Sequence, residues 1–263
     1  MQINSRLNNG VLTVSIPSFD FYGGKATSNF SLEPTGKTAL RVQKNAQISN
    51  ANIGDFLRDA YGFDRLKGHG QLELALSMEG ASLHDYVNSL RGNGNFALKD
   101  GAITGFDLVK IVREAKTLVK TIKNDAITAQ MGDKPQTVQT DFSSLNGSFT
   151  LTKGVATNPD FRLKAPLLNV TGSGTVNIPE KTVDYNLRPT IIGTLEGQSR
   201  EESSTQGVTI PIHVTGNFDA LKFTPNAKAL VEDAIEDPKG TLKNIETNVR
   251  GLRDEVKTLF KGL

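Results

Sequence analysis

The chain has 263 residues, of which 37% are hydrophobic, 22% charged and 6% aromatic, with 25 Gly and 10 Pro, a composition that excludes collagenous, disulfide-stapled and wholly disordered classes. Thirty basic against 28 acidic side chains leave a formal charge of +2, too small for a general phosphate-binding surface, so nucleic acid is not an expected partner. The absence of cysteine removes thiolate chemistry and cysteine-ligated zinc and is silent on compartment.

Met1 to Ser5 lacks the charged-then-apolar start of a signal peptide, and no stretch reaches the roughly 18 apolar residues of a membrane-spanning helix. Strand-like sequence begins almost at once, so we expect an excised portion of a longer protein whose anchor or export signal lies upstream. Val11 to Ile16 alternates Leu12, Val14 and Ile16 against Val11, Thr13 and Ser15. Pro17 interrupts the run, and Phe19 and Phe21 lead into Tyr22-Gly23-Gly24-Lys25, a strand–turn–strand pattern. Ile53 to Leu57 has helical spacing, as does Leu83 to Val87 behind Ser82, a capping residue.

Gln71 to Glu79 has the cleanest period of two, with Leu72, Leu74, Leu76 and Met78 opposite Gln71, Glu73, Ser77 and Glu79; one side is dry and the other wet. The alternation returns at Phe96/Leu98, Phe149/Leu151, Phe161/Leu163, Leu168/Val170, Val176/Ile178, Val183/Tyr185/Leu187 and Ile210/Ile212/Val214. Turns rich in Gly, Asn, Asp and Lys separate these runs, which predicts an antiparallel meander of short strands. Leu7-Asn8-Asn9-Gly10-Val11, Leu66-Lys67-Gly68-His69-Gly70, Leu90-Arg91-Gly92-Asn93-Gly94 and Leu145-Asn146-Gly147-Ser148-Phe149 each introduce such a run, a loose recurrence of one hairpin unit.

Between the strands, Asp107 to Lys123 reads as a basic amphipathic helix. Leu108, Ile111, Val112, Ala115, Leu118, Val119 and Ile122 form its stripe, with Lys110, Arg113, Lys116, Lys120 and Lys123 around it. The stripe either covers an open end of the sheet or lies on a membrane surface. Residues 124–140 and 196–207 lack periodicity and read as loops. Thr224-Pro225 and Asp237-Pro238 are cap-plus-first-turn signatures that predict two terminal helices, dividing the chain into a β-rich domain over 1–223 and helices over 224–263. In the second helix, Leu242, Ile245, Val249, Leu252, Val256, Leu259 and Leu263 step by threes and fours. That seam fits docking on its own domain, a partner helix or a lipid surface.

No chemistry-bearing motif emerges. His69, His84 and His213 lie in separate segments without metal-ligand spacing. There is no nucleophile elbow, P-loop or zinc-protease helix, and Gly92-Asn93-Gly94-Asn95-Phe96-Ala97, the one dinucleotide-like string, reads as a hairpin turn before a strand. Asp100 and Asp107 flank a turn and a helix start, where carboxylates serve local backbone needs. The expectation is a non-enzyme with no metal and no cofactor. Whether the dry faces bury each other in a closed sandwich or one is left as an open groove is not decided by alternation, since both demand one dry face.

Matches in the right order over Leu7 to Phe223 resemble the AsmA-like family of Gram-negative bacteria, specifically its C-terminal region. They comprise Tyr22-Gly23-Gly24-Lys25; Ile53-Gly54-Asp55-Phe56-Leu57; the strand from Leu66 to Leu76; the stretch from Leu90 to Leu108, the most specific; Val170 to Val176; and Ile210 to Asp219. The resemblance implies a curved β groove made of repeated hairpins, with short amphipathic helices at its ends. It implies a periplasmic protein attached to the inner membrane, involved in phospholipid transport and outer-membrane biogenesis and related to bridge-like lipid transfer proteins. Under it, phospholipid acyl chains are the expected partner, with a membrane surface or envelope assembly proteins beside them. The candidate lining is Leu72, Leu74, Leu76, Phe96, Leu98, Phe149, Leu151, Val176, Ile178, Val183, Tyr185, Leu187, Ile210, Ile212 and Val214. Lys110, Arg113, Lys116, Lys120, Leu242, Ile245, Val249, Leu252, Val256 and Leu259 are the candidates for a partner or membrane surface. The alternative is a closed, lipid-free scaffold of the cell envelope.

Overall fold

Hairpin chemistry sets the architecture. Asn9-Gly10, Tyr22-Gly23 and Lys153-Gly154 all hold positive φ at both residues, the conformation that two-residue turns need if the flanking strands are to keep their right-handed twist. They join β1 (Asn4–Asn8) to β2 (Val11–Phe21), β2 to β3 (Gly24–Pro34), and β8 (Gln139–Thr152) to β9 (Val155–Lys164). The computed structural model describes residues 2–105, 107–112, 127–130, 138–192, 209–226 and 229. The remaining strands are β4 (Leu40–Asn52), β5 (Leu66–Gly80), β6 (Arg91–Thr104), β7 (Ile127–Gln130), β10 (Leu168–Asn177), β11 (Thr182–Ile191), β12 (Ile212–Asn217) and β13 (Ala220–Pro225).

All thirteen pair into one sheet, in the order β1-β2-β3-β4-β5-β6-β8-β9-β10-β11-β12-β13-β7. Every pairing is antiparallel. The meander expected from the alternation is present, and the sheet ends in two edges, β1 and β7, without closing. A sandwich of two mutually buried sheets is therefore not what the chain builds among the described residues. Its one dry face belongs to a single hydrogen-bonded sheet, an outcome that period-two patterning cannot separate from a sandwich.

Three local expectations change. The 124–140 segment contains β7, which pairs with β13 through Ile127↔Phe223 and Thr128↔Lys222; four residues are too few for a visible period. The 92–97 string is strand interior rather than a hairpin turn, because β6 runs unbroken from Arg91. Its glycines answer a packing need instead: a Cβ on Gly94 would lie 2.5 Å from the Glu73 carbonyl and 2.6 Å from the Phe149 ring. At Thr224-Pro225 the strand continues through Pro225, which is buried. Just beyond it, Asn226 Oδ1 accepts from the Ala229 N–H at 3.0 Å, and the two expected terminal helices lie outside the described residues.

Two short helices close connections. α1 (Ile53–Tyr61) is capped by Asn52, whose side chain accepts from the Asp55 N–H, and ends at Gly62 in the left-handed region, with N–H groups of Gly62 and Phe63 returning to Arg58 and Leu57. α2 (Leu83–Ser89) starts in a reciprocal capping box between Ser82 and Asp85. Helical backbone also occurs at 108–112, where the Asp107 carboxylate accepts from the Lys110 N–H at 2.9 Å and the Leu108 N–H reaches Thr140 Oγ1 at 2.9 Å. Leu108, Ile111 and Val112 are 4, 4 and 0% exposed and join the core formed by Leu98, Phe142, Leu145, Leu163, Leu168, Val170, Ile191 and Ile212.

Candidate functional site

Because side chains alternate along every strand, register decides which residues share a face. Four rows run across the sheet on the same side. The first pairs Leu7, Leu12, Leu32, Val42 and Met78 across β1 to β5. The second runs through Val14, Phe30, Lys44, Leu76, Gly92, Leu151, Ala156, Val176, Val183, Gly216 and Leu221. The third carries Ile16, Ser28, Ala46, Leu74, Gly94 and Phe149. Beyond the bulge between Asn146 and Thr150, it resumes with Asn158, Gly174, Tyr185, Val214 and Phe223. In the fourth, Phe19, Ala26, Ile48, Leu72, Phe96 and Gly147 are followed by Phe161, Gly172, Leu187, Ile212 and Pro225.

The candidate lining residues Leu72, Leu74, Leu76, Phe96, Phe149, Leu151, Val176, Val183, Tyr185, Leu187, Ile212 and Val214 thus fall on one face. Leu98 continues it one step on, paired with Leu145. Ile178 and Ile210 lie just outside strands: the Ile178 N–H bonds the Gly154 carbonyl at 3.1 Å and the Ile210 N–H the Pro189 carbonyl at 3.0 Å, and Ile210 is buried within the core. The opposite face is polar, with Glu33, Arg41 and Glu79 in one row. Arg41 reaches Glu33 at 2.9 Å and Glu79 at 3.0 Å. Hydrogen bonds from Thr35 and then Arg41 hold the Glu79 carboxyl below the usual carboxylate range.

A shallow depression of about 330 Å³ has its polar lining on that face, Thr27, Asn29, Asn45, Gln47, Glu73, Asn93 and Asn95, with Ala46, Leu74, Ala75 and Gly94 between them in the strands. Its one carboxylate, Glu73, accepts from the Asn95 amide at 2.9 Å, and the lining contains no histidine, lysine or arginine. It is therefore not part of the dry-face site. Polarity within the dry face is neutralised locally: the Tyr185 hydroxyl donates to Asn158 Oδ1, and the Asn158 amide donates to the Ser148 carbonyl. Burial pushes the Tyr185 phenol well above its usual value, so the group stays protonated and uncharged.

Exposure varies over this face. Leu151, Leu163, Val170, Ile212, Val214 and Phe223 are buried, whereas Leu12, Phe30, Leu32, Val42, Leu72, Leu74, Leu76 and Met78 are half-buried and Leu7 on the edge strand is 71% exposed. Both classes occur along the whole sheet, since Val14, Ala26, Ala46 and Ile48 on β2 to β4 are buried while Phe149, Phe161, Val176, Val183, Tyr185 and Leu187 on β8 to β11 are half-buried; the first row, across β1 to β5, contains no buried side chain. Leu12, Phe30, Leu32 and Val42 escaped the sequence-based lining, although the spacing of Phe30 and Leu32 carries the same period of two; Met78 had been placed on the dry side without being included.

Of the surface-helix candidates, Lys110 is exposed. Arg113, Lys116, Lys120, Leu242, Ile245, Val249, Leu252, Val256 and Leu259 lie outside the described residues, as does the 196–207 segment. Among the described residues no group of His, Asp or Glu could hold a metal ion, and no helix is long and apolar enough to cross a membrane.

A sheet of this kind, without a catalytic constellation among its described residues, places the weight on comparison with known proteins. The family model described as the AsmA family matches residues 1–161, more than half of the chain. The chain belongs to the AsmA family. This AsmA-family chain is 22% identical over 230 residues to Protein AsmA of Escherichia coli (strain K12), a match covering 87% of the chain and 36% of the relative's length. It therefore spans little more than a third of that curated relative. No solved structure matches it.

Proposed function

We infer that this AsmA-family chain is an envelope-associated, non-catalytic lipid-binding segment whose dry face takes phospholipid acyl chains. A role in lipid transport and outer-membrane biogenesis follows, in the periplasm and attached to the inner membrane. The observation that carries this reading is the registered dry face, continuous from β1 to β13, on which Leu12, Phe30, Leu32, Val42, Leu72, Leu74, Leu76 and Met78 remain half-buried. A phospholipid crossing water must keep its tails dry, and each methylene laid against Leu or Val contributes about 0.8 kcal/mol. Such a surface binds by area and shape and needs no reacting group. Family membership supports the envelope setting.

The test is mass spectrometry of organic extracts from the purified protein, beside a variant carrying Leu74→Asp and Leu76→Asp that is shown by circular dichroism to stay folded. Stoichiometric phospholipid in the parent and its loss in the variant is the expected outcome. A folded parent that carries no lipid and takes up none when it is added would leave the envelope scaffold as the better account.

A further inference from the structure

In the four rows of the dry face, Lys44 is the only charged side chain. It occupies β4 between Phe30 and Leu76 across the sheet, with Val42 and Ala46 two residues before and after it. It is exposed, while Val42 is half-buried and Ala46 buried. A lysine so placed lays its methylene stem along the neighbouring apolar side chains and lifts the ammonium clear of them.

No acidic group of the described sheet competes for this ammonium. Glu33 and Glu79 belong to the opposite face, where Arg41 bonds both. Glu73 also sits there, paired across β5–β6 with Asn95, whose amide it accepts. An isolated cation among half-buried apolar side chains is complementary to a molecule that is itself apolar over most of its length and acidic at one end.

We propose that Lys44 is a specificity determinant for lipid head groups, pairing with the acidic head of an anionic lipid whose acyl chains lie on Val42, Leu74 and Leu76. The proposal rests on the acyl-chain reading of the dry face and adds to it a preference for negative over zwitterionic lipids. The head sits at the level of the second row, where the ammonium stays hydrated, and the tails run along the strands away from it. A charge pair in such a half-wet setting supports a preference of roughly five-fold at low salt, shrinking as salt screens it.

Short-chain lipids below their micellar concentration provide the test: diheptanoyl phosphatidylglycerol and diheptanoyl phosphatidylcholine, titrated calorimetrically into the full chain and into Lys44→Gln and Lys44→Arg. The parent is expected to favour phosphatidylglycerol about five-fold. Lys44→Gln should erase that preference, weakening phosphatidylglycerol more than phosphatidylcholine, and Lys44→Arg should keep it. Inorganic phosphate alone should not compete at millimolar concentration, because without tails it lacks the apolar contact. Equal binding of both lipids by the parent, or a preference that survives Lys44→Gln, overturns the role of Lys44 and leaves the acyl-chain reading standing. Self-association of Lys44→Gln with unchanged head-group preference also overturns it, and makes the lysine a guard against face-to-face stacking of two dry faces. Failure of the parent to bind either lipid removes both ideas together.

Discussion

At Leu163, Val170 and Ile212 the dry face is sequestered, with 2, 1 and 1% exposure. On β4 and β5, Val42, Leu74, Leu76 and Met78 have the same chemistry, share the same face and remain half-buried. Pattern therefore decides which side of a strand is apolar, whereas cover decides whether that side meets water. Cover comes from elements such as the turn at 108–112, whose Leu108, Ile111 and Val112 belong to one core cluster with Ile48, Leu98, Leu163, Val170 and Ile212. An uncovered apolar surface in register over several strands is an interaction surface.

The largest expected contrast is a charge placed on each region. Leu163→Asp should abolish cooperative folding, since it buries a carboxylate without a partner, while Leu74→Asp should keep a sharp urea transition; equal loss in both would show that β5 is covered after all. Truncation sharpens the same contrast: Leu163→Ala should cost about 2–5 kcal/mol and Leu76→Ala about 1 kcal/mol or less, read from denaturant midpoints at constant slope.

Gly94→Ala probes how tightly β6 supports the face. Its Cβ would meet the Glu73 carbonyl at 2.5 Å and the Phe149 ring at 2.6 Å, so a loss of about 1–3 kcal/mol is expected. Adding Phe149→Leu should relieve the part due to the ring; strict additivity of the two changes would exonerate Phe149. Tyr185→Phe deprives Asn158 Oδ1 of its phenolic donor and should cost about 1 kcal/mol in thermal or urea unfolding.

The smallest effect lies at α2, on the wet side of the comparison. The Ser82 hydroxyl, followed by the Ala81 N–H, depresses the Asp85 carboxyl. With the folded value below the unfolded one, the cap contributes above the unfolded value and is lost as pH falls through the depressed folded value. Amide exchange in α2 should accelerate over that acidic window, and Asp85→Asn should remove the pH dependence while leaving the β5 amides unaffected.

Much of this was legible in the sequence. Leu72 to Met78 announced both a strand and its dry side, and Ser82 announced α2. The candidates from separate strands converged on one face because bulges, such as that between Gly172 and Gly174, restored the alternation where it would otherwise have drifted. Single sheet or sandwich was not legible, because the period is the same in both. β7 was not legible because Ile127-Thr128-Ala129-Gln130 owes its strand to an edge offered by β13, a long-range pairing that leaves no local signature. The place of Lys44 was not legible either, because it depends on Phe30 and Leu76, which only register brings beside it.

That placement of β7 also orders events in time. β1 to β6 pair with sequence neighbours and can zip as hairpins while synthesis proceeds, and β8 to β13 can do the same. β7 is made before β8 yet belongs beside β13, with six strands between it and β6. It has no edge to join until Ala220–Pro225 exists, so the far margin of the sheet is sealed by a segment that waits through the synthesis of every strand it must pass.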